Sequence, residues 1–91
     1  MHDQSGTARP IDQRILDCYE KMPRQEKKLA DVLLERRLEF ASYSSAELAD
    51  MAAVSPATAA RLFRRLGYAN YEEARRMNRA VGQWGGPLEI L

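Results

Sequence analysis

The 91-residue sequence has few of the residues that secreted proteins and metal sites use. Cys18 is the single cysteine, so no internal disulfide can form, and a reducing, cytoplasmic setting is expected. The single histidine, His2, has no partner at metal-ligand spacing. The sequence contains no run of about 18 apolar residues and no apolar core of a signal peptide. We therefore expect neither a membrane span nor a secretory leader.

The sequence also lacks the groupings that enzymes use. No nucleophile is paired with a base, no cluster of metal ligands is visible, and no glycine-rich loop indicates a phosphate-bearing cofactor. Cys18 falls on an apolar helical face, and we interpret it as a buried, unreactive thiol. We therefore expect no enzymatic activity and no cofactor.

Apolar residues recur at helical spacing along most of the chain, which predicts an all-α fold. The first predicted helix opens at Pro10 and buries a stripe made of Ile11, Ile15, Cys18, Tyr19 and Met22. The second runs from about Arg24 to Arg37 and is apolar over more than half of its circumference through Leu29, Ala30, Val32, Leu33 and Leu34. Its charged residues, Glu26, Lys27 and Lys28 among them, are interpreted as solvated surface. A short connector follows, in which Phe40 is expected to anchor one further helical turn in the core.

The stretch from Ser44 to Gly67 predicts two short helices joined by a tight turn. Ser44 and Glu47 have the spacing of a capping box, which begins the first of these helices. Ser55 and Pro56 have the pattern of an N-cap and a first helical residue, and Gly67 provides a C-terminal stop. The turn itself is expected around residues 53–54.

The second helix of this stretch has two unlike faces. One face is apolar at spacing i, i+3, i+4, i+7 and consists of Ala59, Leu62, Phe63 and Leu66. The other is small at its start and cationic further on, and consists of Ala57, Thr58, Arg61, Arg64 and Arg65. Small residues let a helix approach the major groove, while threonine and arginine reach bases and phosphates. The pattern therefore predicts a helix-turn-helix that reads DNA.

The distribution of charge supports this interpretation, although the net charge is only +1. Residues 55–79 contain six arginines against two glutamates, whereas residues 1–54 contain eight basic and ten acidic residues. Positive charge concentrated on the predicted reading helix and the helix after it is typical of a nucleic-acid-binding surface.

A last helix is predicted to begin near Tyr71, because Asn70 and Glu73 repeat the capping-box spacing. Its buried face is expected to consist of Ala74, Met77, Val81 and Trp84. Arg75 lies outside that stripe and is expected to reach the DNA backbone. We expect a flexible arm over residues 1–9, a DNA-binding domain over 10–84, and a linker over 85–91 to an absent C-terminal domain.

The run SSAELADMAAVSPATAARLFRRLGYANYEEAR resembles the N-terminal domain of the RpiR-type bacterial transcriptional regulators. The resemblance extends back through EKKLADVLLERRLEFASYS and RILDCYEKM, and covers about residues 11–79. Those regulators join a helix-turn-helix domain to a sugar-isomerase domain that binds phosphosugars. The resemblance implies that the operator is contacted by Ser55, Thr58, Arg61, Arg64 and Arg65. One departure is Ala53, which stands where the family commonly has glycine in the turn.

Together these features predict a compact all-α bundle of about five helices, homeodomain-like, that contains a helix-turn-helix. We expect it to bind an inverted-repeat operator in double-stranded DNA as a homodimer. A sugar-phosphate effector would act only through the absent domain. The predicted DNA-binding residues are Ser55, Ala57, Thr58, Arg61, Arg64, Arg65 and Arg75, with Thr58 and Arg61 on bases and Arg64, Arg65 and Arg75 on phosphates.

Two other classes of function remain open at this point. The broad apolar arc from Leu29 to Leu34 also suits a helical protein-interaction or dimerisation module. A sigma-like promoter-contacting domain would use the same motif as a monomer.

Overall fold

The computed structural model describes residues 9–78, which form five α-helices and contain no strand. The helices are α1 (Ile11–Cys18), α2 (Arg24–Glu35), α3 (Ser45–Ala52), α4 (Pro56–Arg65) and α5, which covers residues 71–78 of the described part. Short 3₁₀ turns span Tyr19–Lys21 and Phe40–Ser42. The predicted all-α bundle is confirmed. The predictions for His2, Val81, Trp84, the first eight residues of the arm over 1–9 and the linker over 85–91 lie outside the described residues.

Prolines precede the first two helices. Pro10 and Pro23 both have extended backbone angles and act as N-cap residues. The prediction that Pro10 is the first helical residue is wrong by one position, because α1 begins at Ile11. α1 buries Ile11 and Ile15, and the 3₁₀ turn after it leads the chain to buried Met22. Cys18 is only half-buried, and its thiol donates a 3.4 Å hydrogen bond to the Arg14 carbonyl.

α2 is the central helix, since it packs against α1, α3 and α4. Leu29, Ala30 and Leu33 are buried completely, while Val32 and Leu34 are partly buried against the same core. The wide apolar arc predicted for this helix is therefore covered by neighbours on more than one side. Within residues 9–78, no helix is long and apolar enough to span a bilayer.

Aromatic residues attach α5 to the rest of the bundle. The Tyr71 ring lies 6.3 Å from the Phe40 ring and 5.0 Å from the Phe63 ring, measured between centroids. Its buried hydroxyl lies 3.0 Å from the Phe40 carbonyl oxygen and 2.5 Å from that of Tyr43. The predicted role of Phe40 as a core anchor in a helical turn is thereby confirmed.

A second set of contacts holds α1 against the C-terminal end of α4. The Arg14 guanidinium donates to the Leu66 carbonyl at 2.9 Å and lies 4.4 Å from the centroid of the Tyr68 ring. Asn78 accepts the Ile11 backbone N–H at 2.9 Å and donates to the Tyr68 hydroxyl at 3.2 Å. Burial of this phenol raises the pKa of Tyr68, so it stays neutral at physiological pH.

Both helices of the helix-turn-helix end in the same hydrogen-bonded motif. After α3, the Ala53 N–H bonds to the Asp50 carbonyl at 3.0 Å and the Val54 N–H to the Ala49 carbonyl at 2.9 Å, with Ala53 at φ 58°. This is the Schellman pattern, and Gly67 repeats it after α4 at φ 96°. Ala53 is the only non-glycine residue with positive φ in residues 9–78. Its Cβ is therefore held in a conformation that favours glycine.

We predict that Ala53→Gly stabilises the domain by about 0.5–1 kcal/mol. Relief of the left-handed Cβ strain, about 1–2 kcal/mol, exceeds the entropy cost of glycine in the unfolded chain, about 0.5–1 kcal/mol. Chemical denaturation of both proteins measures the difference. The matched control is Ala46→Gly on an exposed position of α3, which should destabilise; a loss of stability in both variants would contradict the prediction.

Candidate DNA-binding surface

The first helix of the motif, α3, begins at the predicted capping box. The Ser44 hydroxyl accepts the Glu47 backbone N–H at 3.0 Å, and the Glu47 carboxylate accepts the Ser44 N–H at 2.7 Å. α3 then buries Leu48, Ala49 and Ala52 against its neighbours. Two of these three residues are alanine, which lets the helices of the motif approach closely.

The second helix, α4, is started by Ser55 as predicted. Its hydroxyl accepts the Thr58 backbone N–H at 3.1 Å, and Pro56 takes the first helical position. The first turn of α4 contains no acidic residue, so the positive end of the helix dipole is not neutralised locally. Lys28, interpreted from the sequence as solvated surface, is half-buried, and its Nζ donates to the Ala53 carbonyl at 3.3 Å. This contact, which sequence reasoning missed, connects the turn to α2.

The apolar side of α4 lies in the core as predicted. Ala59, Leu62 and Phe63 have no exposed surface, and Leu66 is almost fully buried. This side contacts α2 and α3. Burial of this side determines which residues of α4 face away from the domain.

Three residues occupy the side of α4 opposite the core. Ala57, Arg61 and Arg64 follow one another at spacings of four and three residues and are all exposed. Within residues 9–78, the guanidinium groups of Arg61 and Arg64 have no hydrogen-bonding or ion-pair partner. We call these three residues the front face. It is small at its start and carries two cations further along.

Thr58 does not belong to this face, and the expectation that it points away from the core is wrong. Only 5% of the residue is exposed. Its hydroxyl lies 3.1 Å from the hydroxyl of Ser55, the N-cap residue, so the Thr58 side chain is hydrogen-bonded within the start of α4 and does not face solvent. The predicted contact between Thr58 and a base is not tested by this geometry and stays a prediction.

The Arg65 side chain is partly exposed, but its guanidinium is bound to α2. Its Nε lies 2.5 Å and its Nη2 3.5 Å from the two carboxylate oxygens of Glu26. The hydrogen bond that Arg65 donates to the Glu26 carboxylate raises the pKa of Arg65, which is charged at any physiological pH. The predicted phosphate contact of Arg65 remains untested, although its charge already has a partner inside the domain.

Glu26 was interpreted as solvated surface, and this is wrong, because the residue is only 2% exposed. The helical spacing contained the necessary signal. Glu26 precedes Leu29, Ala30 and Leu33 at i, i+3, i+4 and i+7, so it continues the buried stripe of α2 by one turn. Its partner, Arg65, lies 39 residues further along the chain, and no local pattern links the two.

Arg75 lies on α5, apart from the front face. It is half-buried, and its Nη1 lies 3.8 Å from a carboxylate oxygen of Glu72 one turn earlier. An ion pair with an exposed glutamate is weak and does not prevent a phosphate contact. The structure thus brings Ser55, Ala57, Arg61 and Arg64 together on one helix and places Arg75 on the next.

The chain matches a family model described as "Helix-turn-helix domain, rpiR family" over residues 10–78. The chain belongs to this family. The match confirms the resemblance inferred from the sequence and implies DNA binding by a transcriptional regulator. A helix-turn-helix domain of this family is a DNA-binding unit and is not itself catalytic. No curated protein and no solved structure matches the chain.

We predict that Arg64→Ala weakens binding of the rpiR-family domain to any duplex by a similar factor and reduces the salt slope by about 0.9, the loss of one phosphate contact. Titration of a labelled duplex at several salt concentrations measures both quantities. Arg37→Ala is the control, because Arg37 is also exposed but lies outside the front face, with its Nε 3.9 Å from a carboxylate oxygen of Asp12 in α1. An unchanged salt slope for Arg64→Ala, or an equal decrease for Arg37→Ala, would contradict a phosphate contact made by the front face.

Proposed function

We propose that this chain is the operator-reading domain of a bacterial transcriptional regulator, and that it binds double-stranded DNA in a sequence-specific manner as a homodimer. The observation that carries the proposal is the front face of α4. The apolar side of α4 is buried, whereas Arg61 and Arg64 on the opposite side are exposed and have no hydrogen-bonding or ion-pair partner within residues 9–78.

The proposed mode of binding places the N-terminal half of α4 in the major groove. Ala57 lets the helix backbone approach the bases, and Ser55 lies at the positive end of the helix, where phosphate is favoured. Arg61, one turn further, reaches a base edge, and its guanidinium is suited to bidentate contact with guanine. Arg64 and, from α5, Arg75 contact phosphates and set the orientation of the domain.

The homodimer follows from the way in which helix-turn-helix domains read DNA. Two reading helices related by a two-fold axis enter successive major grooves, so the operator is an inverted repeat with half-sites about 10 base pairs apart. By its resemblance to RpiR-type regulators, we propose that the chain controls genes of sugar-phosphate metabolism as a repressor in the cytoplasm. A phosphosugar would then be sensed by a C-terminal domain outside this sequence.

The rival protein-interaction module is less well supported. Its basis was the broad apolar arc of α2, but Leu29, Ala30 and Leu33 are fully buried within this chain. Val32 and Leu34 are partly buried against the same core. Little apolar surface of this arc is therefore left for a partner.

Selection from a random duplex library tests the proposal. We expect the full chain to enrich inverted repeats and to bind them with a stoichiometry of two chains per duplex, as measured by solution mass. Enrichment of a single, asymmetric site bound by one chain would favour the sigma-like alternative. The absence of any enriched sequence would contradict sequence-specific binding.

The selected duplex then tests the base contact. We predict that Arg61→Ala lowers affinity for it by about 1–3 kcal/mol and relaxes the preference at one base pair, because a bidentate arginine contact is lost. Arg64→Ala serves as the comparison, since a phosphate contact carries no sequence information. Equal losses on the selected and a scrambled duplex would refute the base-reading role of Arg61.

A further inference from the structure

The Glu26–Arg65 ion pair has no part in the binding mode proposed above, which uses Arg61, Arg64 and Arg75. Glu26 lies in the first turn of α2, and its side chain is 3% exposed; Arg65 is the last residue of α4, and its side chain is 38% exposed. Two nitrogens of the guanidinium face two oxygens of the carboxylate. The pair thus joins the start of the central helix to the end of the reading helix.

The position of Arg65 around α4 suggests what the pair does. Arg65 and Thr58 are seven residues apart, so they lie within about 20° of each other on one flank of the helix, between the apolar side and the front face. Thr58 is hydrogen-bonded to Ser55, the N-cap of the same helix, whereas Arg65 is bound to Glu26 of α2. The Glu26–Arg65 pair therefore joins this flank of α4 to another helix and opposes rotation of α4 about its own axis.

Apolar packing determines which side of α4 is buried, but the hydrophobic effect is non-directional and fixes the exact rotation less tightly than a directional hydrogen bond does. Side chains extend about 5–6 Å from a helix axis, so a rotation of about 20° displaces their ends by roughly 2 Å. A displacement of that size is enough to break a hydrogen bond. A bidentate pair between planar groups has a defined geometry and resists such a rotation.

We propose that Glu26 and Arg65 are positioning residues: their ion pair sets the rotation of α4 and thereby aims Arg61 and Arg64 at DNA, while Arg65 itself makes no phosphate contact. This inference rests on the proposed function of the front face. It assigns Arg65 a role different from that of its exposed neighbours on α4. It also gives a DNA-binding role to a buried carboxylate that never touches DNA.

A double-mutant cycle on the full chain tests the proposal with Glu26→Gln, Arg65→Gln and the double variant. The probes are the duplex selected by the wild-type chain and a scrambled duplex, titrated at several salt concentrations. Each single substitution should lower affinity for the selected duplex by roughly tenfold, and the double variant should lose no more than the worse single one. The salt slope should change by the same amount in Glu26→Gln and Arg65→Gln, because both misdirect Arg64, whereas a phosphate contact made by Arg65 itself would lower the slope, by about 0.9, in Arg65→Gln alone.

Arg65→Lys separates positioning from phosphate contact without removing the charge. Lysine reaches a phosphate as a point charge but cannot present the planar pair of donors that faces Glu26. We expect it to bind the selected duplex as weakly as Arg65→Gln. Wild-type affinity in Arg65→Lys would overturn the proposal. A reduced salt slope in Arg65→Gln together with full affinity in Glu26→Gln would also overturn it.

Thermal unfolding of each variant identifies a purely structural role. If both single variants melt earlier but keep full affinity at temperatures where they are folded, the pair stabilises the fold and does not aim the front face. Arg37→Gln, which removes the exposed contact with Asp12, is the matched control and should change neither affinity nor slope. Failure of the wild-type chain to select any duplex would instead refute the proposed function itself.

Discussion

The structure depends on the burial of one side of α4. Leu62 and Phe63 are fully enclosed, and the Phe63 ring packs against Tyr71, so the reading helix is part of the core that also holds α5. A helix buried on one side must expose the opposite one, and this places Arg61 and Arg64 at the surface whatever their own interactions are. The exposure of the candidate site is thus a consequence of the packing behind it.

Local signals predicted the helices well because capping and turn chemistry depend on neighbours in the sequence. The capping box at Ser44 and the N-cap at Ser55 form as predicted, and α4 ends with Leu66 as its C-cap, one residue before Gly67. The exact faces of α4 were harder to predict. Thr58 and Arg65 lie near the boundary between the two sides, and a periodic pattern assigns boundary positions poorly. Their partners, Ser55 and Glu26, decide where they point.

Interactions between distant parts of the chain were not predictable in the same way. The contacts of Arg14 with Leu66 and Tyr68, and of Asn78 with Ile11, each join residues more than 50 positions apart. A single sequence contains no periodicity that reveals them. They nevertheless determine how the end of α4 is held, since Arg14 occupies the space beside Gly67 and lies 2.9 Å from where a Cβ would be.

The same distant contacts change the electrostatic argument for DNA binding. The sequence of residues 55–79 has an excess of four positive charges, with Glu72 beside Arg75 already counted, and Glu26 of α2 neutralises one of these charges by pairing with Arg65. Within residues 9–78, the front face contributes two unpaired cations, Arg61 and Arg64, and each phosphate contact contributes about 0.9 to the salt slope. A single domain would accordingly bind weakly, whereas two domains on an inverted repeat double the number of contacts at little further entropic cost. The modest charge of the front face is thus a physical argument for dimeric binding, independent of the family to which the chain belongs.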